Sequence, residues 1–246
     1  MQKIFVVTGG GRGIGRELVL NIGKRGYFPV IIDKDFDLAK ETEDLVSDTG
    51  NESKAYQADL TEADEVIRVF DSINNDLEKI DGLVNNAGGY FQPKPIDELT
   101  VDFWNIVIDS NLKSAFLCSL EAFKYMKAQK YGKIVNLTSS LFVTSGMSLS
   151  PYIAAKGGVI GLTRALAVDL GPFNITVNAV APGLTATDYA YQVMGHERFE
   201  MVKQLKAIKR DQTPGDLVGA ILFLLNSDSD LITGQTLVVD GGRAFL

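Results

Sequence analysis

The sequence holds one cysteine, Cys118, one histidine, His196, and no long apolar run. A single cysteine excludes an intramolecular disulfide and points to a reducing compartment, taken here as the cytoplasm. One histidine cannot build a metal site, and no cluster of ligand side chains surrounds it, so no metal is expected. No stretch reaches the roughly 18 consecutive apolar residues of a membrane span, so no membrane is expected as a partner. Positive charge is also short. The 24 Lys and Arg against 31 Asp and Glu leave a net charge of −7. That excludes the clustered basic surface of a nucleic-acid-binding protein. It leaves room for an anionic ligand held by backbone amides, which carry no formal charge. The opening stretch MQKIFVVTGG has too short an apolar part for a signal peptide and runs straight into a glycine-rich motif.

What is present describes a core. The 246 residues are 46% apolar and 22% charged, enough for a large α/β domain. Short Val/Ile-rich runs at 3–8, 28–33, 53–58, 81–86, 132–138, 174–180 and 235–240 read as strands. Several are apolar on both faces, as strands between two helix layers must be. Helical stretches at 14–25, 36–48, 62–78, roughly 100–129 and 152–170 lie between them. The alternation predicts one α/β domain, 1–246, built on a doubly wound parallel sheet of about seven strands, the Rossmann type. The stretch 184–212 is too long for a plain connection and reads as a helical lid over the substrate site.

The run TGGGRGIG (8–15) follows the first strand and opens the first helix. There, backbone N–H groups and the positive end of a helix dipole meet a phosphate. Arg16 and Glu17 stand where a P-loop needs Lys and Ser/Thr, so a nucleoside-triphosphate loop is excluded. The pattern is Gly9-x-x-x-Gly13-x-Gly15, which meets the demands of a dinucleotide turn without the usual spelling. Asp33 ends the second strand, 24 residues past Gly9. A carboxylate there accepts the hydroxyls of an adenosine ribose and repels a 2′-phosphate, which selects NAD over NADP. Arg12 and Lys34 argue the other way, as cations within reach of a 2′-phosphate.

SPYIAAKGG (150–158) reads as a helix start and sets Tyr152 and Lys156 one turn apart on the same face. Taken alone, that pair is an ordinary surface contact. It does not stand alone. QADLT carries Asp59 and Leu60, NNAG carries Asn86, Ala87 and Gly88, and SNLKSAF carries Asn111. NLTSS puts Ser139 thirteen residues before Tyr152, and APGLTATD carries Pro182, Gly183, Thr185 and Thr187. In order and spacing, these motifs resemble the short-chain dehydrogenase/reductase family over essentially the whole chain.

The resemblance implies a hydride-transferring oxidoreductase with catalytic Asn111, Ser139, Tyr152 and Lys156. It implies a dinucleotide held by Gly9, Arg12, Gly13, Ile14, Gly15, Asp33, Asp59, Leu60, Asn86, Ala87, Gly88, Tyr152, Lys156, Pro182, Gly183, Thr185 and Thr187. Tyr152 then moves the proton, with Lys156 pulling its pKa down from near 10. Ser139 holds the substrate oxygen, and Asn111 holds a water that links Lys156 to solvent. The family also implies a homotetramer. Local wording points to a secondary alcohol, ketone or aldehyde of small cyclic or aromatic character. Tyr90, Phe91, Leu141, Val143, Tyr189, Tyr191, Met194 and Phe199 are read as substrate-facing, with no Arg or Lys clamp for a phosphate or acyl-carrier tail. Cys118, Phe103, Trp104, Val107 and Phe116 are read as packing. Gly157 and Gly158 are read as points of close backbone approach, as against a partner subunit. Two other functions compete. One is an NADPH-using 3-oxoacyl-carrier-protein reductase. The other is a non-catalytic dinucleotide sensor or scaffold, whose mark would be loss of the Tyr or Lys.

Overall fold

A computed structural model describes residues 2–245. Seven strands form one parallel sheet: β1 (Ile4–Thr8), β2 (Phe28–Asp33), β3 (Lys54–Gln57), β4 (Gly82–Asn85), β5 (Gly132–Leu137), β6 (Ile175–Pro182) and β7 (Thr236–Val239). Their spatial order is β3-β2-β1-β4-β5-β6-β7, all pairs parallel. Each falls within two residues of the run that predicts it.

The period of two along each strand divides the apolar side chains between two faces. On one face Val6, Ile32, Leu83 and Ile134 pack with Phe70 and Ile73 of α3 (Ala63–Leu77) and Met126 of α5 (Ser114–Gln129). Cys118 of α5 and Ala167 of α7 (Ser150–Leu170) belong to the same cluster. On the other face Phe5, Val7, Ile31 and Val84 pack with Leu18 and Ile22 of α1 (Gly13–Lys24). Val46 of α2 (Phe36–Ser47) and Ile221 of α9 (Gly215–Leu225) complete that side. Both faces are dry, which is why the strands read as continuous apolar runs. Chain order reverses direction at β1, which lies between β2 and β4. The crevice beyond the carboxyl ends of these strands is the ligand position of such sheets.

The stretch 100–129 departs from the expected single helix. It is α4 (Val101–Ile108), a π turn at Asp109–Lys113, and then α5. Side chains compete for the carbonyls of the ladder there. Asn111 Nδ2 donates to Val107 O at 3.1 Å, and Ser114 Oγ donates to Ser110 O at 2.8 Å. Such back-bonding loosens a turn. Trp104 and Phe116 are exposed on this stretch, so they are not the packing residues expected of them, whereas Val107 and Cys118 are buried. A four-residue helix, α6 (Leu141–Thr144), precedes α7.

The segment 184–212 contains α8 (Asp188–Gln204), broken at Gly195, whose φ of 71° leaves the helical region. Both ends of the segment are tied together where Ala186 N donates to Gln212 O at 2.6 Å. No described helix is long and apolar enough to cross a membrane.

Candidate active site

The glycine turn carries backbone that side chains would obstruct. Gly9 has φ +63° and Gly13 φ +56°. A Cβ on Gly15 would drive into the Gly9 carbonyl oxygen and come within 2.7 Å of Asn86 Nδ2. Gly15 therefore packs the start of α1 under the turn. Its own atoms do not line the cleft. Gly15→Ala is expected to cost about 3 kcal/mol or more, a Tm loss of roughly 6–12 °C. Gly219→Ala, in α9 with nothing within 4 Å of the added methyl, should instead raise Tm by about 2–4 °C. Differential scanning fluorimetry of the pair checks both signs.

Asn86 locks the turn from β4: its Nδ2 donates to Thr8 O at 2.9 Å and Gly9 O at 3.0 Å. The first turn of α1 has neither a side-chain cap nor an acidic residue. Its N–H groups and dipole are left for an anion in the cleft. A dinucleotide pyrophosphate fits that position.

Asp33 is fixed at the end of β2. Oδ2 accepts from Gly11 N at 3.0 Å and Oδ1 from Asp35 N at 3.1 Å. The nearby cations are engaged elsewhere. The Arg12 guanidinium lies 4.4 Å from the centroid of the Tyr189 ring, on α8, and Arg16 is bidentate to Glu41. Asp59 accepts from Thr61, and those bonds, followed by the charge of Lys34, hold its carboxyl below the usual range.

Thr8 sits beneath this floor, its Oγ1 accepting from the backbone N–H groups of Asn86 and Ala87 at 3.0 Å each. Gly88 has φ +149°, and a Cβ there would reach Asn111 Oδ1 at 2.6 Å. Asn111 is buried on the π turn. Its Nδ2 donates to Gly89 O and Val107 O, both at 3.1 Å, while Oδ1 is buried without a partner.

Tyr152 and Lys156 stand on the first turns of α7, which has proline in its first turn. Two bonds fix this helix to β5: Asn136 Nδ2 donates to Thr163 Oγ1 at 2.9 Å, and Lys156 Nζ donates to Leu137 O at 2.9 Å. Just beyond the strand, Thr138 Oγ1 donates to Lys156 O at 2.7 Å. Lys156 is buried without a carboxylate, and burial pulls its pKa down from 10.5 to about 8. Its Nζ is 5.9 Å from the Tyr152 ring centroid.

Tyr152 and Ser139 line the same cleft, and the Tyr152 ring meets Tyr90 edge to face at 5.7 Å. The Tyr152 pKa is raised from 10.0 to about 12, because burial outweighs the opposing pull of the Ser139 hydroxyl. The expected downward pull from Lys156 is therefore not achieved by this chain's own groups. A phenolate taken out of water costs more than one hydroxyl donor returns.

One cleft of about 1180 Å³ collects these groups. It is lined by Gly9, Arg12, Gly13, Ile14, Asp33, Asp59, Leu60, Asn86, Ala87, Gly88, Asn111, Ser139, Tyr152, Lys156, Pro182, Gly183, Thr185 and Thr187. Thr187 also caps α8, its Oγ1 accepting from Ala190 N at 3.1 Å.

Of the residues read as substrate-facing, Tyr90, Phe91, Leu141, Tyr189 and Met194 line the cleft. Val143, Tyr191 and Phe199 do not. Tyr191 packs on His196 and Phe199 instead, holding the lid helix together. Among the cleft residues that sequence reasoning missed are two arginines, Arg198 and Arg243. Their presence corrects the expectation that no arginine faces the substrate. Gly158 packs closely on Leu112, while Gly157 has nothing within 4 Å in this chain.

Comparison with known proteins decides what this arrangement belongs to. A family model described as enoyl-(acyl carrier protein) reductase matches residues 9–244. The chain belongs to the short-chain dehydrogenase/reductase family. A 3-oxoacyl-[acyl-carrier-protein] reductase of Staphylococcus epidermidis is 35% identical over 243 residues, covering 98% of this chain and 99% of that protein. A subunit of (2S)-[(R)-hydroxy(phenyl)methyl]succinyl-CoA dehydrogenase from Thauera aromatica is 34% identical over 243 residues, covering 99% and 97%. Among solved structures, one described as a gluconate dehydrogenase from Agrobacterium tumefaciens superposes with a TM-score of 0.94 at 36% identity, covering 99% and 97%. An NAD+-bound xylitol dehydrogenase superposes with a TM-score of 0.91 at 30% identity, covering 98% of both chains. As a member of the short-chain dehydrogenase/reductase family, the chain is an oxidoreductase using a nicotinamide dinucleotide.

Proposed function

We propose that the protein transfers a hydride between NAD(H) and a secondary alcohol or ketone, with Asn111, Ser139, Tyr152 and Lys156 as its catalytic residues. The observation that carries this reading is the convergence of Asn111, Ser139, Tyr152 and Lys156 on one cleft, where the buried lysine has no counter-ion among the described residues. Bound in the cleft, the nicotinamide supplies or accepts the hydride and, when oxidised, carries a positive charge.

The chain's own residues handle the proton. In reduction Tyr152 Oη gives its proton to the forming alkoxide, and in oxidation it takes the alcohol proton. Ser139 Oγ holds the substrate oxygen at hydrogen-bond distance from that proton. The Lys156 ammonium alone does not offset the burial of Tyr152, so the phenolate would draw on that ammonium together with the positive charge of a bound, oxidised nicotinamide. The unpartnered Asn111 Oδ1 suits a water on the path from Lys156 to solvent. The aromatic and apolar wall formed by Tyr90, Phe91, Leu141 and Met194 supports a small cyclic or aromatic substrate. Exposed Ile106, Phe116, Leu120 and Val168 support a homotetramer. The lone, buried Cys118 supports a reducing, cytoplasmic setting.

NAD is favoured over NADP because Asp33 is locked in place while Arg12 and Arg16 are engaged elsewhere. The second reading, an NADPH-dependent 3-oxoacyl-carrier-protein reductase, draws on the names of the 35%-identical relatives. Steady-state kinetics with each dinucleotide separates the two. The expected result is a kcat/KM for NAD about 100-fold or more above that for NADP, the scale of a like-charge clash. A preference for NADP would overturn the Asp33 argument and favour the second reading.

A further inference from the structure

Arg198 stands on the second half of α8, beyond the break at Gly195, and Arg243 on the tail that follows β7. They are 45 positions apart in sequence (243 − 198), yet both line the active-site cleft. Among the described residues neither has a carboxylate within salt-bridge distance, and neither guanidinium donates a hydrogen bond. Arg16 is bidentate to Glu41 and Arg210 to Asp216, whereas Arg25 and Arg164 lack such partners too; what sets Arg198 and Arg243 apart is that both line the cleft.

We propose that Arg198 and Arg243 form a two-guanidinium receptor for an anionic group on the substrate, set beside the catalytic tyrosine. This rests on the hydride-transfer reading of the same cleft. The two charges feel one another: burial first, then the charge of Arg198, holds the Arg243 guanidinium below its ordinary value. Asp240 acts in the opposite direction, but its oxygens are committed. Oδ1 accepts from Gly242 N and Arg243 N at 3.0 Å each, and Oδ2 from Ala244 N at 2.9 Å. Asp240 thus shapes the tail that carries Arg243.

Two cations lining one cleft are relieved by an anion between them, and guanidinium forks match a carboxylate or phosphate bidentately. The charge of Arg198 is felt at Tyr90, whose ring packs on Tyr152. Arg198, Arg243, Tyr90 and Tyr152 thus line one cleft. That placement suits a carboxylate on the skeleton that bears the reacting hydroxyl or keto group. The phosphate of a thioester carrier has the same charge chemistry and a longer reach.

The test uses full-length protein with secondary β-, γ- and δ-hydroxy acids, their methyl esters and their coenzyme A thioesters, with NAD and with NADP. Wild type is expected to prefer at least one free acid over its ester by about tenfold or more in kcat/KM. Arg198→Gln and Arg243→Gln should each lower kcat/KM for that acid, mainly through KM, by about tenfold more than for the ester. Lysine at either position should restore part of the loss, and thermal scans confirm that each variant is folded. If the thioester is the preferred substrate and shows the same arginine dependence, the receptor stands and its anion is the carrier phosphate. Equal turnover of charged and neutral substrates, or equal losses on both, overturns the receptor and leaves the hydride-transfer reading intact. If no hydroxyl or keto substrate turns over with either dinucleotide, the reading and the receptor fall together.

Discussion

Tyr152→Phe is expected to lower kcat by about 10²–10⁴-fold, the usual contribution of a positioned acid–base group. The substitution removes one oxygen and keeps the ring. The edge-to-face contact with Tyr90 at 5.7 Å survives, so the cleft wall should hold its shape. Ser139 keeps the bond its Oγ accepts from Leu141 N at 3.3 Å. KM should change little, because the lost interaction matters when the proton moves. Initial rates of NADH formation give kcat, and a thermal scan confirms an intact fold. A variant within a few-fold of wild type would remove Tyr152 from the chemistry.

Lys156→Met should separate stability from activity with opposite signs. The folded protein holds the Lys156 proton with a pKa of about 8, against 10.5 for the exposed group. Between these values the unfolded chain binds more protons than the folded one, so this group's contribution to stability improves as pH rises. The cost is fully present below about pH 8 and gone above about pH 10.5. Tyr152 acts in the other direction, and later. Its raised pKa of about 12 favours the folded state until pH climbs past 10, then ceases to do so as pH passes 12. The clean window for the lysine is therefore pH 7 to 10.

A methionine fills similar volume without the charge. At pH 7 it relieves about 3 kcal/mol, less about 1 kcal/mol for the lost bond to Leu137 O. The expected net gain of about 2 kcal/mol is a Tm rise of roughly 4–8 °C, shrinking towards zero near pH 10. Activity should fall at least as far as in Tyr152→Phe. A variant that is less stable at pH 7, or equally stabilised at pH 7 and 10, would show that burial of the ammonium is not what sets its pKa.

The sheet was legible because both of its faces are dry. A strand such as IFVVT is buried at every position and apolar at all but the last. The Tyr152 and Lys156 pairing was legible because helical spacing is a local property. Three features were not. The π turn at Asp109–Lys113 depends on where the Asn111 amide and the Ser110 and Ser114 hydroxyls find acceptors, and residue types alone do not disclose that. The pKa of Tyr152 depends on how much water the folded cleft removes, which outweighed the nearby lysine. Arg198 and Arg243 meet only because a kinked lid helix and a turn built on Asp240 converge. Each alone reads as an ordinary surface charge; the glycine pair at 241–242 was the one sign that the tail bends back.

The central claim is that this cleft moves a hydride while Tyr152 moves the proton. Its most direct test is to supply a secondary hydroxy compound deuterated at the carbinol carbon, with NAD, and follow the label by mass spectrometry. The account predicts that deuterium arrives on the nicotinamide of the reduced dinucleotide with wild type, and that transfer slows by about 10²-fold or more with Tyr152→Phe. Reduced dinucleotide formed without the label, or label transfer undiminished in the variant, would contradict it.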